Sequence, residues 1–79
     1  MNMKRSDFFR SLVRIAKVSD GNWSTAQIAE HAVAEKIIPD GSNPVVNLAI
    51  SNAVRMIEHH DEPMHLVVAL EQAWEAVEP

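Results

Sequence analysis

Five potential metal ligands or acid–base groups, His59, His60, Asp61, Glu62 and His65, fall within seven positions of one another. Neighbouring residues seldom reach one tetrahedral centre, and the His-Glu-x-x-His pattern that would align two imidazoles on a helix face is absent. The cluster reads instead as a polar junction, with Asp61 capping a following helix and imidazoles near the end of the preceding one. His31 reads as a surface or boundary residue. No metal and no other cofactor is expected.

A second set suits nucleic-acid recognition. Asn47, Ser51, Asn52 and Arg55 recur at helical spacing, and Asn and Arg are the side chains that make paired hydrogen bonds to adenine and guanine edges. Arg10, Arg14 and Lys17 recur along an earlier segment, where they could bind phosphates and set the register. Any surface helix carries a polar face, so the alternative is that the segment holding Asn47 to Arg55 is the central helix of a bundle.

Catalysis finds little footing. The chain has two glycines and no cysteine, no phosphate-cradling loop and no Gly-x-Ser-x-Gly turn. A catalytic pocket also needs more room than a domain of this size offers. No enzymatic activity is expected.

These residues must be positioned by helices. Ser6 can cap a first helix over 7–18, with Phe8, Leu12 and Ile15 on its apolar face and Phe9 and Ala16 beside it. Ser19-Asp20-Gly21-Asn22 ends it through left-handed backbone. Ser24 and Gln27 form a capping-box pattern that opens a second helix over 25–37, where Ile28, Ala32 and Ile37 supply the apolar positions and Trp23 can staple onto Ile28. Pro39-Asp40-Gly41 stops it. Asn43 followed by Pro44 starts a third helix over 44–58, with Val46, Ile50, Ala53, Val54 and Ile57 inward and Asn47, Ser51, Asn52 and Arg55 on the polar side. A fourth covers 63–77, with Leu66, Leu70, Ala73, Trp74 and Val77 as its stripe and Glu71, Glu75 and Glu78 outside. Residues 64–70 are also compatible with a short strand. The fold class is all-α: a compact four-helix domain with a helix-turn-helix-like core.

Seventy-nine residues allow one domain, and 47% apolar against 23% charged residues is the balance of a folded globular chain. Without cysteine there is no disulfide framework. The longest apolar run, Leu66 to Leu70, is far short of the roughly 20 residues that cross a bilayer, and no signal-peptide core follows Lys4 and Arg5. A cytoplasmic protein with no membrane partner is expected. A core this small gains from a partner, so a homodimer through Trp74 and Leu70 is one expectation.

The net charge of -4 conceals an uneven distribution: residues 1–17 hold five bases and one acid, and the rest of the chain two bases and ten acids. This pattern implies a basic first helix and an acidic remainder, within which residues 41–57 carry amide and hydroxyl groups but no carboxylate. It leaves a nucleic-acid partner open despite the acidic total.

The run Trp23-Ser24-Thr25-Ala26-Gln27-Ile28-Ala29-Glu30, then Lys36-Ile37-Ile38-Pro39, Gly41, Pro44 and Leu48, resembles the HARE helix-turn-helix, a winged-helix-related domain, over about residues 7–60. The resemblance implies DNA-linked or transcription-linked recognition, in part through protein contacts. Two departures stand out: Ser42-Asn43 replaces the family's usual Lys-Thr before the proline, and no glycine-bearing wing follows the third helix. On this reading Asn47, Ser51, Asn52 and Arg55, with Arg10, Arg14 and Lys17, meet DNA, and the partner is DNA or the transcription machinery.

The alternative is an acidic protein-binding inhibitor or adaptor. Glu62, Glu71, Glu75 and Glu78, with Glu30 and Glu35, can address a basic protein target, and Trp74 and Leu70 can anchor it. Compact inhibitors and antirepressors of phages and mobile elements resemble the chain in size and charge. Any one of these glutamates is equally well read as a solvated group.

Overall fold

The computed structural model describes residues 4–39, 43–59 and 62–77. Four helices follow one another in the order α1 (Arg5–Ser19), α2 (Thr25–Ala34), α3 (Pro44–Glu58) and α4 (Pro63–Val77), and the described residues contain no strand. Residues 64–70, which also allowed a strand, are helical. No helix among the described residues is long and apolar enough to cross a membrane.

Local chemistry explains most of the boundaries. Ser24 Oγ accepts the Gln27 N–H at 3.2 Å while Gln27 Oε1 accepts the Ser24 N–H at 2.9 Å, so a complete capping box opens α2. Asn43 Oδ1 accepts the Val45 N–H at 3.0 Å, and Pro44 fills the first helical position of α3. At the end of α1, Asp20 and Gly21 take left-handed backbone with φ of 47° and 75°. Asp40, Gly41, Ser42, His60, Asp61 and Glu78 lie outside the described residues, and with them the expected turn at Asp40-Gly41 and the Asp61 cap.

Two boundaries differ from expectation. α1 begins at Arg5 rather than residue 7, so Ser6 lies inside the helix and Lys4 is the N-cap, with no side-chain cap bond. The first turn instead carries two side-chain contacts of Arg5: an ion pair with Glu71 of α4 and, within α1, a guanidinium 5.4 Å from the centre of the Phe9 ring.

α2 ends at Ala34 rather than residue 37. Lys36 adopts a left-handed φ of 63°; its N–H donates to Val33 O at 3.0 Å and the Ile37 N–H to Ala32 O at 2.9 Å. That bonding pattern is a Schellman motif with lysine in the place glycine usually takes. The reason lies in Ile37 and Ile38. At 3.6 residues per turn, a continued helix would place each of them roughly 130° from the face that buries Ile28, Ala29 and Ala32. The turn at Lys36 directs both inward, where they are buried.

The core joins Phe8, Leu12, Ile15 and Ala16 of α1, Ile28 and Ala32 of α2, the two isoleucines of the turn, Ile50, Ala53 and Val54 of α3, and Ala69 and Ala73 of α4. Burying each large aliphatic or aromatic residue contributes about 1.5–3 kcal/mol relative to leaving it exposed. α3 is the central helix and packs against α1, α2 and α4, most extensively against α4. The side that α4 buries is narrower than expected: Ala69 and Ala73 are buried, while Leu66, Leu70, Trp74 and Val77 are half-buried. The radius of gyration is 11.1 Å, as expected for a chain of this length folded into one body, about 12 Å.

Candidate functional site

The central position of α3 decides what its polar residues do. Ser51 is buried, with Oγ 3.4 Å from Thr25 Oγ1, so its hydroxyl joins α2 to α3 and does not lie on the polar side expected of it. Arg55 is half-buried and donates from Nη2 to the Trp23 carbonyl at 3.4 Å. Asn47 is half-buried, and Asn52 alone of the four is exposed. The outward face of α3 carries Val45, 70% exposed, and Leu48, 56% exposed, beside Asn52. Amide and hydroxyl groups with an arginine would suit base edges; this face offers two aliphatic side chains and one amide.

The basic residues of α1 are exposed, but two of the three named for phosphate binding already meet carboxylates. Arg10 lies 3.5 Å from Asp7, and Arg14 lies 3.5 Å from Glu35 of the turn after α2. Glu35 also has Oε1 3.9 Å from His31 Nε2, and the His31 ring sits 4.9 Å from that of Trp23. With Arg5 held by Glu71, the division of charge along the chain is only partly a division in space. The folded chain brings Glu71 of α4 and Glu35 of the α2 turn onto Arg5 and Arg14 of α1, which narrows the expected basic side to Lys4, Arg10 and Lys17.

Lys17 forms no ion pair among the described residues and borders an open groove of about 480 Å³ between the C-terminal halves of α1 and α3. Val13, Ala16 and Ile57 give the groove an apolar floor, and Asp20, Glu58 and His59 line its rim. Glu58 Oε1 accepts the Gly21 N–H at 3.1 Å and fixes the turn after α1 to the end of α3. The mixed charges favour no single ligand. Among the described residues no three His, Cys, Asp or Glu side chains gather as a metal site.

The residues proposed for protein contact divide similarly. Trp74 is half-buried and meets Phe8 edge to face, ring centres 5.1 Å apart, so it holds α4 to α1. Leu70 is half-buried against the core, Glu71 is paired with Arg5, and Glu75 is exposed. The spacing of the sequence passed over a second exposed group on α4: Met64 at 75%, Val67 at 55% and Val68 at 50%. The signal was present in the unbroken run Leu66-Val67-Val68-Ala69-Leu70. Five consecutive apolar residues encircle a helix, and a helix packed on one side must leave some of them outside.

Comparison with known proteins finds no matching family model, no matching curated protein and no matching solved structure.

Proposed function

We propose that this chain is a small non-enzymatic recognition module that binds another protein, as an adaptor or inhibitor. The observation that carries this reading is the outward face of α3. Val45 and Leu48 stand in solvent there, while Ser51 and Arg55 bond within the fold. Exposed aliphatic side chains gain free energy by leaving water against another apolar surface and gain little from a phosphate backbone. In this reading the α2–α3 pair, the part that resembles a HARE helix-turn-helix, serves as a scaffold that presents α3 to a protein.

A DNA-linked role has one specific support, the exposure of Asn52 on α3 together with Arg10 and Lys17 on α1. The two readings separate in one experiment. The tagged chain is incubated with lysate with and without nuclease, beside a Val45→Asp/Leu48→Asp variant checked for helix content. A protein retained after nuclease treatment by the parent chain and lost by the variant is the expected result. Capture that disappears with nuclease, or salt-sensitive binding to a DNA duplex that the variant retains, would overturn the protein-binding reading in favour of DNA.

A further inference from the structure

We infer that Asp20-Gly21 is a covalent modification site, an aspartate able to isomerise through its own main chain and held shut by the hydrogen bond from Gly21 to Glu58. The inference is independent of which partner the chain binds. Both glycines of the chain follow an aspartate, Asp20-Gly21 and Asp40-Gly41, and the second pair lies outside the described residues. With no Cβ on residue 21, little hinders its nitrogen from approaching the carboxyl carbon of the residue before it.

The chemistry has two steps. The Gly21 nitrogen attacks Cγ of the protonated Asp20 carboxyl group, a C–N bond forms, and the amide proton leaves with the carboxyl hydroxyl as water. One water then opens the resulting succinimide. Opening at Cγ restores aspartate; opening at the former main-chain carbonyl gives isoaspartate, with the chain running through Cβ and Cγ. The water released in the first step is taken up in the second, so no other reactant is needed.

The folded turn forbids the first step. Asp20 has φ 47° and ψ 40°. About the Cα–C bond, Cβ lies about 120° from the residue's own nitrogen, so this ψ places the Gly21 nitrogen roughly 160° from Cβ. Ring closure needs the two on the same side; here they stand nearly opposite. Three N–H bonds keep them so: Asp20 to Ala16 O at 3.0 Å, Asn22 to Ser19 O at 2.9 Å, and Gly21 to Glu58 Oε1 at 3.1 Å.

The first two bonds are local, whereas the third comes from the last residue of α3. Glycine lets the Asp20-Gly21 peptide plane rotate with a compensating change in its own φ, so the pair can reach the reactive geometry without unwinding a helix. That rotation must break the bond to Glu58. The Glu58 carboxylate guards the site in a second way: attack requires the amide nitrogen to give up its proton, and an adjacent negative charge opposes this. Asp20 and Gly21 are exposed, so water reaches the ring once it forms. Isoaspartate lengthens the main chain at the end of α1 and so reshapes the groove that Lys17, Asp20, Gly21 and Glu58 line.

The test ages the full chain at mildly acidic pH below its thermal midpoint, beside a sample in denaturant. Peptide mapping separates aspartyl from isoaspartyl forms at residue 20 and at residue 40, so the two pairs are read apart. In the folded parent, isomerisation at Asp20 is expected to be at least about tenfold slower than in denaturant. Glu58→Ala should raise the folded-state rate about two- to tenfold, the range set by loss of one hydrogen bond. Glu58→Gln, which keeps an acceptor, should raise it less. Ser24→Ala, which weakens the separate α2 cap, should leave the rate unchanged.

An Asp20 that isomerises as fast in the folded chain as in denaturant, or at a rate that Glu58→Ala does not change, would overturn the inference. A rate raised equally by Glu58→Ala and Ser24→Ala would also overturn it, since the site would then open only when the whole chain unfolds. Absence of isoaspartate at residue 20 even in denaturant would remove the site altogether.

Discussion

Arg55 Nη2 donates to the backbone carbonyl of Trp23 across 3.4 Å, tying the last turn of α3 to the residue that precedes the α2 capping box. An arginine that by type and spacing suits guanine recognition is thereby a strut between two helices. The guanidinium is committed to a backbone acceptor inside the fold.

Removing that strut should reduce stability. Arg55→Ala is expected to lower the unfolding free energy by about 1–2 kcal/mol, toward the lower part of the range for bonds to charged groups because the site is half exposed. Arg55→Lys should recover less than half of the loss, since an ammonium cannot reproduce the reach of the guanidinium. Urea titration followed by circular dichroism measures both. An Arg55→Ala variant as stable as the parent would remove the strut from this account.

The edge-to-face contact between Phe8 and Trp74 is the main aromatic link between α1 and α4. Phe8→Ala should cost about 3–5 kcal/mol through cavity formation. For a chain of 79 residues that is a large share of a total stability of about 4–12 kcal/mol. Milder changes isolate the pair: a double-mutant cycle of Phe8→Leu and Trp74→Leu is expected to give a coupling of about 0.5–1.5 kcal/mol. Coupling near zero would mean that Trp74 only covers the core and does not hold α1 through this contact.

Both halves of the α2 capping box are formed, so each can be removed separately. Ser24→Ala should lower stability by about 1 kcal/mol, a fall of about 4–8 °C in thermal midpoint for a domain of this size. Gln27→Ala should lower it less, because the Ser24 side chain still accepts the third-position N–H. Ser24→Asp should keep most of the parent's stability. Scanning calorimetry distinguishes the three, and a Ser24→Asp variant as unstable as Ser24→Ala would contradict the cap.

The helices that could be read in the sequence are those whose ends are set by local chemistry. Asn43-Pro44 fixes the start of α3, and the bounds of α3 and α4 agree with the spacing of their apolar residues. The roles of Ser51 and Arg55 were not legible, because a helix with polar groups on one side looks the same whether that side meets water or another helix. Only the packing of α2 onto α3 buries Ser51 beside Thr25. Charge misled for the same reason: Arg14 and Glu35 are far apart in sequence, and folding alone brings them within 3.5 Å. The exposed face of α4 could have been read from its five-residue apolar run, whereas the exposure of Val45 and Leu48 follows from how α3 is turned in the bundle.

The end of α2 carries the sharpest prediction, because Lys36 occupies a backbone conformation that its own side chain disfavours. A left-handed φ of 63° brings Cβ close to the following carbonyl oxygen, a cost of about 1–2 kcal/mol for an L-residue that glycine does not bear. The conformation persists because it turns Ile37 and Ile38 into the core and satisfies the carbonyls of Ala32 and Val33. The Lys36 side chain is exposed and forms no ion pair among the described residues, so its removal forfeits little. Glycine loses more backbone entropy on folding, which offsets part of the relieved strain. Lys36→Gly should therefore raise stability by about 0.5–1 kcal/mol, and Lys36→Val should lower it by about 1 kcal/mol or more, as a branched side chain crowds the same oxygen. Urea unfolding of the two variants beside the parent gives the order Gly, Lys, Val. If α2 instead continued through residue 37, the order would be Lys, Val, Gly, with glycine the least stable of the three as it is in a helix interior.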